Sequence, residues 1–223
     1  LKSMRNSSRK TQNTSEVNCD NINELARMIV EKFPREHEEK DPFKVLITTI
    51  LSQRSRDENT EVSARNLFNV YENAEQLARA KPEELYELIK PSGLYKEKAE
   101  RIIAVSKIIL EKYGGKVPNN LEELLSLPGV GRKTANIVLH VSFGQQALAV
   151  DTHVHRISNR LGWVNTKTPE QTEEELKKIL DPNLWGPVNG SMVEFGKQIC
   201  RPISPKCETC FLTACCKYFK EKR

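Results

Sequence analysis

After Asp20 the apolar residues of this chain recur at helical intervals almost without interruption, which leaves little room for any fold built on a sheet. Ile22, Leu25, Ala26, Ile29 and Phe33 share one face of a first helix, and Pro34 ends it. Asp41 followed by Pro42 reads as an N-cap with a proline in the first turn, opening a helix over Phe43 to Leu51. Periodicity alone would also allow a buried strand at Val45-Leu46-Ile47; the cap and the lack of partner strands decide for helix. Leu67, Phe68 and Tyr71 mark another helix, and Leu85, Leu88 and Ile89 a short one after Pro82. Ala99, Ile102, Ile103, Ser106, Ile109, Leu110 and Tyr113 mark a long one stopped by Gly114-Gly115. Thr168-Pro169-Glu170-Gln171 combines a capping box with a first-turn proline. Trp185, Val188, Met192, Phe195 and Ile199 fit a final helix that runs into a group of cysteines. No hairpin signal, low-complexity run or tandem repeat intervenes. The predicted class is all-α.

A length of 223 residues suits one or two domains. With 38% hydrophobic and 29% charged residues the chain is expected to be globular rather than disordered. A net charge of +5 suits a polyanionic partner such as nucleic acid, and equally suits an ordinary solvated surface. No apolar run approaches the roughly 18 residues that span a membrane. The segment 1–20 is rich in Ser, Asn, Thr, Lys and Arg, lacks the apolar stretch of a signal peptide, and reads as a flexible basic arm. The expected location is therefore intracellular, where thiols stay reduced and six cysteines need a role other than disulfides. Cys200, Cys207, Cys210 and Cys216 place four thiols within 17 residues, a set that suits either tetrahedral zinc or an iron–sulfur cluster. Cys215, beside Cys216, is a second candidate for the fourth position, and the distant Cys19 reads as a free thiol.

Asn120 to Ser126 is a short capped helix, followed by Leu127-Pro128-Gly129-Val130-Gly131-Arg132-Lys133-Thr134-Ala135-Asn136 and the apolar Ile137-Val138-Leu139. Two glycines one residue apart let the backbone turn tightly and approach a ligand closely. The helix that follows presents unpaired N–H groups and a partial positive charge, a natural seat for phosphate, with Arg132 and Lys133 as cationic donors. A Gly-x-Gly between two helices is by itself an ordinary connection; the longer string is far more specific.

That string resembles the hairpin of the helix-hairpin-helix DNA glycosylases, and most closely the endonuclease III family. Val150-Asp151-Thr152-His153, placing Asp151 18 residues beyond Lys133, resembles the family segment that carries its essential aspartate. The cysteine spacing matches the family's cluster spacing at the same C-terminal location. The resemblance spans about residues 21 to 220 and is densest from Leu121 onward. It implies two helical lobes: a central domain over 35–145, with the helix-hairpin-helix at 121–143, and a cluster domain formed by 21–34 together with 146–223. It implies a bifunctional DNA glycosylase/AP lyase of base excision repair, a monomer acting on double-stranded DNA with a damaged base, oxidised pyrimidine above all, or an abasic site. Cys200, Cys207, Cys210 and Cys216 would hold a [4Fe–4S] cluster.

In that resemblance Lys133 is the nucleophile. A lysine amine attacks only while uncharged, a form that apolar burial, an adjacent cation such as Arg132 and the positive end of a helix all favour. Asp151 would stabilise positive charge on the sugar and assist proton transfers; an isolated aspartate in such a place is ordinarily an N-cap, and it can be both. His153 and His155, two apart on a helix, face different ways and read as structural. Gly129, Val130, Gly131 and Arg132 would contact DNA, with Arg201, Lys206 and nearby Lys197 gripping its backbone around the cysteines. Gly93-Leu94-Tyr95 resembles the family's intercalating leucine loop, although Leu94 also suits an ordinary core. Leu51-Ser52-Gln53-Arg54-Ser55-Arg56-Asp57 resembles its Leu-Ser-Ala-Gln-Ala-Thr-Asp segment, whose glutamine enters the duplex. Here Arg54 holds that register and Gln53 stands one residue earlier, so either is a candidate. Two competing readings remain at this level: a monofunctional mismatch or adenine-type glycosylase, against which Lys133 speaks, and a non-catalytic DNA-binding module with a metal knot.

Overall fold

The computed structural model describes residues 17–223. The basic arm expected over 1–20 lies outside that range except for its last four residues. The described chain forms twelve α-helices, with single 3₁₀ turns between some of them and no strand. In chain order these are α1 (Ile22–Lys32), α2 (Pro42–Ser52), α3 (Asp57–Val70), α4 (Ala74–Ala78), α5 (Pro82–Ile89) and α6 (Tyr95–Tyr113). After them come α7 (Leu121–Leu125), α8 (Arg132–Val141), α9 (Thr152–Leu161), α10 (Pro169–Ile179), α11 (Pro182–Gln198) and α12 (Lys217–Glu221). None is long and apolar enough to cross a membrane.

The caps follow the chemistry read from the chain. Asp41 accepts from the Lys44 N–H with Pro42 in the first turn, Asn120 accepts from Glu123, and Thr168 accepts from Gln171. Gln171 turns back to the Lys167 N–H, one residue before the cap, so the box is slightly offset. Gly114 closes α6 in the left-handed region, as Gly162 closes α9. The helix at Trp185 is not the last one, because α12 follows the cysteines.

Two hydrophobic cores organise these helices. The first is built from a continuous stretch of chain and includes Leu46, Ile50 and Leu51 of α2, Leu67 of α3, Ile89 of α5, Ile102 and Ile109 of α6, and Val138 of α8. The second joins the start of the described chain to its end: Leu25, Ala26 and Ile29 of α1 pack with Val154 and Ile157 of α9, Leu176 of α10, Val188, Met192 and Phe195 of α11, and Leu212. Residues of α8 and α11 meet where the cores adjoin. The His140 ring of α8 lies so close to the α11 backbone there that a methyl group on Gly186 would overlap it.

One prediction fails in the second lobe. Cys19 is not a free thiol; it is disulfide-bonded to Cys215, 196 residues away. The reason lies in the packing. Helix α1 lies along α11 in the second core, so the residues just before it come to rest on the cysteine loop.

Candidate active site and cysteine centre

Helix α8 begins at the hairpin with Gly131 as its N-cap, a residue with no side chain to satisfy the first N–H groups. Gly129 turns the chain with φ +74°, and a Cβ there would sit 2.9 Å from Arg101 Cδ. The left-handed turn favours glycine, and an added Cβ would in addition oblige the Arg101 side chain to move. Val130 is only 6% exposed and belongs to the first core, and its N–H donates to the Leu127 carbonyl. It anchors the hairpin from inside, so the outward contacts fall to Gly129, Gly131 and Arg132, all exposed.

Lys133 lies half-buried in the first turn of α8, at the wall of a cleft of about 240 Å³. Gln53, Gly131, Arg132, Thr134, Val150, Pro169 and Glu173 line the same cleft. Asp151, the next residue after Val150, caps α9 by accepting the Val154 N–H at 2.9 Å. The hairpin segment and the Val-Asp-Thr-His segment are therefore brought to one place, each at the start of its own helix. His155 bonds Thr172 at 2.7 Å, while His153 meets Arg156 at 3.1 Å, on different neighbours as their spacing required. Burial holds His153 below its ordinary range against the pull of Asp151.

Arg132 does not face Lys133 as a bare cation. Its Nε donates to Glu173 at 2.7 Å, and Asn136 donates to the other oxygen of that carboxylate at 2.6 Å. Glu173 is 3% exposed and also pairs with Lys177 at 3.6 Å. Sequence reading missed it, because a glutamate on the capped first turns of a charged helix looks like surface.

The two candidate gap-filling segments stand differently from one another. Leu94 is 45% exposed in the left-handed region with φ +46°, which removes it from any core. Arg54 is exposed and also left-handed, with φ +52°. Gln53 is engaged: it donates to the Gly129 carbonyl at 3.2 Å and accepts from Arg101 at 3.2 Å. Arg101 and the buried Lys98, both on α6, were also missed by sequence reading. Lys98 donates to the Leu51 and Ser92 carbonyls, 2.8 Å from each.

Cys200, Cys207, Cys210 and Cys216 are free thiols lining one cavity with Arg160, Ile199, Lys206 and Phe219. Cys215 is excluded as a fourth ligand by its bond to Cys19. Arg160 donates to the Cys200 sulfur at 3.4 Å and to the Arg201 carbonyl at 2.7 Å, bracing the loop. Burial, together with the neighbouring Cys200, Cys216 and Cys207, pushes the Cys210 thiol up to about 11. Thiolates gathered there need a compensating cation. Four thiols around one cavity make a donor set that suits tetrahedral zinc or an iron–sulfur cluster. Around this loop Arg201 donates to the Ser204 carbonyl, Lys206 is exposed, and Lys197 is turned away onto Asp57.

Residues 47–182 match the family model described as HhH-GPD superfamily base excision DNA repair protein. The endonuclease III of Thermotoga maritima is 66% identical over 201 residues, which cover 90% of this chain and 94% of that protein. The endonuclease III of Rickettsia conorii is 38% identical, over 81% of this chain and 86% of its own. An endonuclease III solved as a trapped covalent intermediate with DNA superposes with a TM-score of 0.85 at 35% identity, covering 92% of this chain and 99% of that one. The chain belongs to the HhH-GPD superfamily of base excision DNA repair proteins and, within it, to the endonuclease III family.

Proposed function

We propose that this protein is a DNA N-glycosylase with AP-lyase activity, acting on duplex DNA that carries a damaged base, oxidised pyrimidines above all, or an abasic site. The observation that supports the reading is that Lys133, in the first turn of α8, and Val150, the residue before the α9 cap Asp151, line one cleft. The exposed hairpin glycines and the uncapped N–H groups of α8 offer a seat for a DNA phosphate next to that lysine.

The target nucleotide leaves the stack and enters the cleft, at a cost of about a few kcal/mol. Arg54 and Leu94 fill the space it vacates; Gln53, held by Gly129 and Arg101, stays behind as part of the wall. The Lys133 amine attacks the sugar C1′, the C1′–N bond breaks, and the base departs with the bonding electrons. The Asp151 carboxylate stabilises positive charge on the sugar in the transition state and accepts the proton that the amine gives up. Ring opening leaves a Schiff base between Lys133 and C1′. Loss of a C2′ proton then expels the 3′ phosphate by β-elimination.

Cys200, Cys207, Cys210 and Cys216 would hold a [4Fe–4S] cluster. When bound, it supplies a cross-link that fixes the cysteine loop, with no chemistry at the sugar. Arg201 and Lys206 on that loop would meet the DNA backbone.

Borohydride trapping on an abasic duplex tests the lysine. The expected result is a covalent adduct with the unmodified chain and none with Lys133→Gln. Base release at full rate by Lys133→Gln would sink the mechanism.

A further inference from the structure

Lys98 has no part in the chemistry at the sugar, yet it is 1% exposed and ranks among the largest fully buried side chains in the structure. A lysine is almost never buried without a strong reason. Its partners are two backbone carbonyls rather than a carboxylate, and each stands where a helical segment ends. The Leu51 carbonyl lies in the last turn of α2 and the Ser92 carbonyl closes the 3₁₀ turn Lys90–Ser92, both 2.8 Å from Nζ. Carbonyls at helix ends lack a following N–H and carry partial negative charge, so one ammonium satisfies both at once.

The residues just beyond these two carbonyls give the arrangement its meaning. Three residues past Leu51 is Arg54, and two past Ser92 is Leu94, both exposed and both left-handed. Non-glycine residues hold that conformation only where their surroundings over-determine it. Ser63 of α3 completes the seat by accepting from the Ser92 N–H at 3.0 Å and donating to the Ile89 carbonyl at 3.2 Å. One turn along α6, Arg101 keeps Gln53 against the hairpin.

We infer that Lys98 is a positioning residue that fixes the spacing of Arg54 and Leu94, so that both enter the duplex together when a nucleotide is rotated out. This rests on the reading of Arg54 and Leu94 as the gap-filling pair. Holding two contacts in place beforehand removes their ordering from the cost of binding. Burial, and secondarily Arg101, lower the Lys98 pKa to about 8.

The test compares two substrates that differ in whether a gap must be filled. One is base release, in single turnover, from a duplex with thymine glycol opposite adenine. The other is borohydride trapping on a single-stranded abasic oligonucleotide. Lys98→Met is expected to slow the first at least tenfold and change the second less than twofold. Lys98→Arg, which keeps a charged donor, is expected to recover part of the loss. In a Leu94→Ala background the added loss from Lys98→Met should shrink to less than threefold, because the two changes remove one function. A thermal melt accompanies each variant, and Lys98→Gln replaces Lys98→Met if the latter does not fold. Equal loss on both substrates, no loss on either, or failure of both variants to fold would make Lys98 a residue of the fold alone and overturn the inference. Arg54→Ala and Leu94→Ala separate the two levels. If they leave duplex turnover intact, the gap-filling reading fails and takes this inference with it. If they slow it and Lys98→Met does not, the inference alone fails.

Discussion

Aspartate and asparagine cap a helix about equally well, so exchanging one for the other at Asp151 separates cap from chemistry. Asp151→Asn can still accept the Val154 N–H and hold the start of α9. Turnover is expected to vanish while binding to an abasic duplex stays within about 1 kcal/mol of the parent, as measured by titration. Asp151→Ala should in addition cost about 1 kcal/mol of stability. Glu173 offers a contrasting case, a buried carboxylate with three nitrogen donors around it. Glu173→Ala leaves Arg132, Lys177 and the buried Asn136 without their acceptor, and a loss of about 2–3 kcal/mol is expected in urea unfolding. Both cations are partly exposed, which keeps the figure below that of a fully enclosed pair. Neither Glu173 nor Lys98 could be picked from the chain. Their type marks them as surface residues, and the partners that bury them lie 37 to 47 positions away in the cases of Asn136 and Leu51.

Helices with a full apolar face were legible, and their ends more so, because Asp41, Asn120, Thr168 and Gly114 state their chemistry locally. Helices α4 and α12, five residues each, were not, since so short a span shows no period, and α7, equally short, was legible only through its Asn120 cap. Close approach between helices was also hidden. Gly186 reads as a weak point in α11, yet it is where His140 of α8 packs. Gly186→Ala is expected to destabilise the fold by about 2 kcal/mol or more through overpacking. Adding His140→Ala should return much of that loss, which a double-mutant cycle in urea would read.

On the scale of the molecule, the all-α class was readable, whereas the covalent tie between its two ends was not. No spacing rule connects Cys19 to Cys215, and their pairing exists only because α1 is carried onto the far end of the chain. A bond closing so long a loop restricts the unfolded chain by up to about 5 kcal/mol in the chain-entropy account. Cys19→Ser is expected to lower the melting temperature and to abolish its dependence on reductant. Acid should weaken the fold as well. Burial, aided by Arg35, holds His37 below its ordinary value of 6.5, and burial holds His140 below it too. The unfolded chain therefore takes up these protons first, so stability is complete above pH 6.5 and falls as the pH drops below it. Urea midpoints at pH 7.5 and pH 5.5 would show the decline.

The second core takes residues from both sides of the first, and this bears on how the protein is made. As the chain leaves the ribosome, Leu46 to Val138 are all present long before Leu212, so the inner lobe can close while synthesis continues. Helix α1, translated before that lobe, must wait with its apolar face uncovered until α11 has been translated. A segment made ahead of the inner lobe is thus settled only after it.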